Sequence, residues 1–310
     1  VPRLSIVVPF AGDESLLHAT LLSILENRPT DCEIIVAHDG SYHDPYRLLH
    51  DELIDIEVLD CPSTIGLINE AVLAAVAPIV QVLLPGSEIE CDWVEEPLSL
   101  LDADPLISGV MLPSHDDSVD RSFFGFDMTA LPRRIELAKP RYRGSATPAI
   151  NGTFFRRKIL RMLDGFLDAP SVENCEIEFG LAMRSLGLEA VIADETELDI
   201  TACPKAASQT AFARGQVYGR IALAYSKLDS SGVEINSMIS RLGHLAGGLM
   251  NPSTVAERLG WVMGLTDTKL VRQIRMRIEG AATVLDLQSS DTHSGQQTIP
   301  VSAAEIRRAA

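Results

Sequence analysis

Residues 33–41 read E-I-I-V-A-H-D-G-S, four apolar side chains in a row stopped by His38-Asp39-Gly40-Ser41. An unbroken apolar run of this kind predicts a strand covered on both faces, as in a parallel sheet. Residues 4–10 (L-S-I-V-V-P-F), 56–59 and 78–84 also read as short, mostly apolar strands, the last halted by Pro85-Gly86. Between them the apolar period lengthens. Asp13-Glu14-Ser15 precedes Leu17, Leu21 and Leu25 at four-residue steps, and residues 45–53 and 66–77 also read as helices. Strand and helix alternate four times, which predicts a mostly parallel sheet flanked by helices. Residues 93–101 then read as a helix and 106–112 as a strand. From residue 195 onward the pattern is helical, with helices expected over 206–228 and 253–264 around a glycine-rich piece at 243–248. Residues 269–278 form a basic, weakly amphipathic helix. Residues 288–298 are polar and short of large apolar side chains, so a flexible tail is expected there.

The chemistry of interest begins where the 33–41 run ends. In open α/β sheets, ligands bind outside the carboxyl ends of the strands. An ionised Asp39 is an acceptor-only group, suited to a nucleobase N–H or a ribose hydroxyl. A strand-to-helix turn capped by Asp or Ser explains the same residues, and both readings stand at this point.

Composition narrows the partners. The 310 residues are 46% hydrophobic and 22% charged, enough for a sizeable core, and the formal net charge of −17 disfavours nucleic acid. Residues 133–143 reverse that sign locally, with Arg133, Arg134, Lys139, Arg141 and Arg143 against Glu136, and Arg156, Arg157, Lys158 and Arg161 follow. The five cysteines are widely spaced without a C-x-x-C pair, so neither zinc nor a redox motif is indicated. No signal peptide is evident and no apolar run reaches the ~18 residues of a membrane helix, so a cytoplasmic protein is expected, with membrane contact at most peripheral at the inner face. There is no G-x-G-x-x-G after the first strand, no Walker A motif and no G-x-S-x-G elbow.

Several ordered pieces resemble the family 2 inverting glycosyltransferases of GT-A fold. L-S-I-V-V-P-F resembles the family's first strand and A-H-D-G-S-Y-H-D (37–44) its D-D-G-S-x-D. Gly66 to Asn69 resembles the G-x-x-x-N that opens the next helix. N-G-T-F-F-R-R (151–157) resembles the acceptor-side segment, and L-D-G-F-L-D (163–168) the G-G-F-D after it. The resemblance covers about residues 4–194. It implies a GT-A domain over 1–200, with 201–287 as a helical extension packed on it and 288–310 as the tail. It further implies that Asp39, Ser41, Pro9, Phe10, Glu14 and Asn69 bind the nucleotide, and that Arg143, Arg156 and Arg157 contact the diphosphate or the acceptor. Counting back from Gly187 places Glu176 in the slot of the family's catalytic base, with Glu178 as the usual second acid. The alternative register would use Glu173-Asn174.

One departure matters. The family carries D-x-D after the fourth strand to hold Mn²⁺ or Mg²⁺, whereas here Leu84-Pro85-Gly86-Ser87-Glu88 stands there, with Glu88 as the candidate metal ligand. A divalent ion is therefore expected for the family while its usual ligands are absent. Weak or no metal binding is expected at this loop, with arginines supplying the counter-charge. The implied activity is transfer of a sugar from a nucleotide-diphosphate donor to a carbohydrate or lipid-linked acceptor, with inversion. The alternative is a glycosyltransferase-like binding or scaffold protein that no longer turns over.

Overall fold

The computed structural model describes residues 2–10, 12–42, 54–58, 63–116, 121–127, 133–136, 147–167, 169, 171–193, 196–200, 210–225, 252–265 and 269–295. The expected helix over 45–53, Arg143 and the glycine-rich piece at 243–248 lie outside them.

The apolar runs become strands β1 (Leu4–Phe10), β2 (Cys32–His38), β3 (Ile54–Glu57) and β4 (Ile79–Val82). β1 pairs in parallel with both β2 and β4, and β2 in parallel with β3. The seven-stranded sheet is completed by β6 (Ile107–Met111), β10 (Phe154–Arg156) and β11 (Glu189–Ile192), in the order β11-β6-β10-β4-β1-β2-β3. Only β10 runs against its neighbours, pairing antiparallel with β4 and β6. A second sheet of five strands has the order β5-β12-β7-β8-β9. It comprises β5 (Ser87–Glu88), β7 (Ser114–Asp116), β8 (Arg121–Asp127), β9 (Arg133–Glu136) and β12 (Leu198–Ile200).

Alternation along the buried strands divides the core in two. Leu4, Ile6, Val8 and Phe10 meet helices α1 (Glu14–Glu26) and α3 (Glu95–Ala103). Val7, Val80 and Val82 face the other way, toward α2 (Thr64–Ala74), α4 (Arg157–Met162) and α5 (Val172–Ser185). That second cluster continues without a break into α6 (Ala211–Tyr225) and α8 (Lys269–Gly295) through Tyr218, Ile221, Tyr225, Ile274 and Ile278. The helices after residue 195 thus share the core of the sheet. α8 runs to Gly295, so residues 288–295 of the expected tail are helical.

Two contacts join these helices. Gly215 and Gly219 of α6 face Gly260 and Gly264 of α7 (Pro252–Gly264), each helix using a four-residue step. A Cβ at Gly215 would lie 1.8 Å from the Glu257 carbonyl oxygen, and one at Gly260 would lie 2.0 Å from that of Phe212. Small residues let helix backbones approach this closely. Arg214 and Glu257 pair at 2.7 Å at the same contact.

The other contact is a buried ionic clamp. Arg277 of α8 donates to a carboxylate oxygen of Glu178 in α5 and to the Leu163 and Gly165 carbonyls. The second Glu178 oxygen accepts from the Tyr225 hydroxyl at 2.7 Å. Burial first, and the Glu178 charge second, push the Tyr225 hydroxyl well above its ordinary pKa, so it stays a donor. Removing one partner of a buried ion pair strands the other charge, at ~3–5 kcal/mol. Arg277→Met should therefore lower unfolding free energy by about that amount in denaturant titration, and Glu178→Gln/Arg277→Met should cost clearly less than the sum of the single changes. Gly260→Ala should destabilise the α6–α7 contact while an alanine at Gly280, which has open space, should not.

Candidate functional site

Because β1, β2 and β4 are parallel, their carboxyl ends lie along one edge of the sheet. Phe10, the His38–Ser41 turn and the loop after Leu84 all emerge there. The turn is locked by its own side chains. Asp39 Oδ1 accepts from the Ser41 amide at 3.1 Å and from the Ser41 hydroxyl at 2.5 Å, and His38 Nδ1 accepts from the Gly40 amide at 3.0 Å. The Ser41 hydroxyl, then its amide, hold the Asp39 carboxyl below the ordinary 3.8. Gly40 has φ +89°, and a Cβ there would strike Glu57 Oε1 at 2.8 Å. Asp39 is exposed, so this pre-ordered carboxylate faces solvent at the ligand edge.

The loop after Leu84 is held from two sides, by Asn151 and by α1. The Leu84 amide and the Ser87 hydroxyl both donate to Asn151 Oδ1, at 2.8 and 3.1 Å, while Asn151 Nδ2 lies 3.0 Å from Ser87 Oγ. The Gly86 amide points at α1, reaching Thr20 Oγ1 at 2.9 Å and the Leu16 carbonyl at 3.2 Å. Beyond the loop, Glu88 enters β5 and stands in register with Asp199 of β12, itself opposite His115 of β7. Among the described residues no group of three or more His, Cys, Asp or Glu side chains could hold a metal ion. His115 Nδ1 lies 3.2 Å from Ser122 Oγ, which lies 3.3 Å from Glu197. The Leu84 side chain belongs to the core, and Pro85 and Gly86 bring no side-chain oxygen. These residues do not fit the divalent ion that D-x-D would hold.

Glu176 lies in the second turn of α5, behind the Ser171 cap, and is 2% exposed. Its Oε1 accepts from the Ile150 amide at 2.8 Å, one residue before Asn151. This places the carboxylate beside the segment that braces the 84–88 loop. The competing acid Glu173 is engaged elsewhere, with the Tyr218 hydroxyl of α6.

The other expected site residues have the following surroundings. Arg156 and Arg157 lie at the amino edge of the parallel strands, because antiparallel β10 carries them away from the site. Arg156 donates to the Leu101, Asp104 and Ile107 carbonyls, and Arg157 to that of Ala75. Both cover the carbonyl ends of α3 and α2, where a cation is favoured. Asn69 brackets the Phe166 backbone, donating to its carbonyl and accepting from its amide, each at 2.8 Å. Phe10 is 1% exposed, and its ring meets Tyr42 edge-on at 5.7 Å within the core. Pro9 is buried at the end of β1, paired with Ala37. Glu14 is exposed in the first turn of α1, an acid at the positive helix end beside the Asp13 cap. Asn151 and Arg277 carry contacts that the sequence reading assigned to neither. The four-residue glycine step in α6 and α7 was legible, but nothing in one chain says that two such helices meet.

The family 2 profile, "Glycosyl transferase family 2", matches residues 5–162. The chain belongs to this family. No curated protein matches the chain at a significant level. Among solved structures, GalNAc-T7 crystallised with UDP, GalNAc and Mn²⁺ superposes with a TM-score of 0.59 at 14% identity. The match covers 90% of this chain and 54% of that one, so this family 2 chain spans about half the neighbour's length. The likeness fixes the GT-A fold. No helix among the described residues is long and apolar enough to cross a membrane.

Asn151→Ala should leave the buried Leu84 amide without its acceptor, at ~1–3 kcal/mol. Hydrogen exchange should then speed up over residues 84–88, with β1 and β2 unchanged.

Proposed function

We propose that this chain transfers a sugar from a nucleoside-diphosphate donor to an acceptor hydroxyl, with inversion. The observation that carries this is the pre-ordered Asp39 carboxylate at the shared end of β1, β2 and β4 in a family 2 chain. Asp39 accepts from the nucleobase or ribose, and Ser41 holds it in place. Glu176 takes the proton of the acceptor hydroxyl as that oxygen attacks the anomeric carbon. The bond from that carbon to the diphosphate oxygen breaks on the opposite face, and its electron pair leaves with the nucleoside diphosphate. Residues 1–200 form the transferase unit and 201–287 a helical extension that shares its core. The acceptor is a carbohydrate or a lipid-linked group.

A second reading is a binding protein of the same fold without turnover. The neutral Leu84–Ser87 loop and the burial of Glu176 against the Ile150 amide favour it.

Calorimetry with UDP and GDP tests the site first. Asp39→Ala removes a charged hydrogen bond worth ~1.5–3 kcal/mol and should weaken nucleotide binding about 10- to 150-fold. An unchanged affinity would remove Asp39 from the site. Glu176→Gln should keep nucleotide affinity while slowing transfer about 10²–10⁴-fold. Transfer lost in Glu173→Gln and kept in Glu176→Gln would reassign the base.

The pH dependence has a definite sign. Nucleotide affinity that relies on ionised Asp39 is present above its lowered pKa and is lost as pH falls through it, below the ordinary 3.8. In Ser41→Ala the largest lowering cause is gone, so the acid limb of the binding curve should move to higher pH.

A further inference from the structure

We infer that this chain binds the diphosphate of its ligand without a divalent cation at the loop after β4, and that Asn151 is the residue responsible. The inference rests on the nucleotide-binding reading and adds to it how the charged end of the ligand is received.

The amides of Leu84, Gly86 and Ser87 and the Ser87 hydroxyl are already engaged within the protein. Asn151 Oδ1 takes both the Leu84 amide and the Ser87 hydroxyl, and Asn151 Nδ2 closes the circuit on Ser87 Oγ. The Gly86 amide is spent on Thr20 and Leu16 of α1. The loop is thus a closed, neutral network of amide and hydroxyl groups. A carboxylate site for Mg²⁺ or Mn²⁺ uses one or two acids together with phosphate oxygens in octahedral geometry. Here the only acid of residues 84–88 is Glu88, exposed on β5 beyond the network and in register with Asp199. The group nearest the loop backbone is an amide, isosteric with aspartate. A single exchange of nitrogen for oxygen at residue 151 therefore separates this neutral loop from an anionic one. That exchange keeps both bonds on Oδ1 and removes only the donation from Asn151 Nδ2 to Ser87 Oγ.

The test uses the full chain, with UDP and GDP as probes, titrated calorimetrically in EDTA and in Mn²⁺. Nucleotide affinity should agree within about twofold between the two solutions, and Asn151→Asp should make binding at least about tenfold tighter in Mn²⁺ than in EDTA. Wild-type affinity that falls more than about tenfold in EDTA and loses its Mn²⁺ dependence in Glu88→Gln would overturn the inference. Asn151→Asp that folds, by unchanged circular dichroism, but stays indifferent to Mn²⁺ would overturn the role given to Asn151. A failed fold is bypassed by Ser87→Asp, which puts a carboxylate on the same network and is read in the same way. If neither nucleotide binds wild type in either solution, the nucleotide reading itself fails. The metal inference is then decided by Mn²⁺ titrated alone and followed by its electron paramagnetic resonance. Saturable Mn²⁺ binding that Glu88→Gln abolishes would overturn the cation-free loop as well, and free-ion behaviour throughout would uphold that part alone, the diphosphate claim having failed with the nucleotide reading.

Discussion

Parallel pairing of β1 with β2 and β4 is the constraint on which the site depends. Parallel strands need crossovers, and each crossover here brings the chain back to start at the same edge and finish at the other. Residues 10, 39 and 84 are far apart in sequence and become neighbours only because three strands end together. A carboxylate such as Asp39 gains meaning from that edge. Its own turn, closed by Ser41, keeps the carboxyl ionised and oriented before any ligand arrives.

The helical layer is bound to the sheet by burial and by charge. Glu178 sits in the core at 0% exposure, tolerable only because Arg277 and Tyr225 saturate its oxygens. Arg277 also takes the carbonyls of residues 163 and 165, next to the Phe166 backbone that Asn69 brackets. Phe166 in turn packs on Phe179 of α5 at 4.6 Å between ring centroids. α2, α5 and α8 therefore converge on one short loop. The turn of α5 that carries Glu176 is anchored by its neighbours on either side, through Tyr218 at residue 173 and Arg277 at residue 178.

On the opposite side of the site the design is neutral. Asn151 reaches from the start of β10 to the loop after β4, and α1 pins that loop at Gly86. Backbone amides that could have faced a ligand are satisfied internally, as buried polar groups must be. The asymmetry is physical: an exposed, ionised acid where β2 ends, and hydrogen-bonded neutral groups in the loop after β4.

Strand identity was legible in residues 4–10, 33–38 and 78–84, because side chains covered on both faces leave a short, mostly apolar run. The family was legible in ordered short motifs, and the lack of acids at residues 84–86 could be read directly. The fate of the polar side chains was decided only by the tertiary structure. Arg156 and Arg157 look like anion ligands in one dimension, but β10 runs antiparallel and delivers them to helix carbonyls at the far edge. Asn69, Phe10 and Glu178 likewise follow partners 97, 32 and 99 residues away. Apolar periodicity reports which face of an element is buried, a local property. Which donor meets which acceptor depends on strand order and direction, and those are properties of the whole chain.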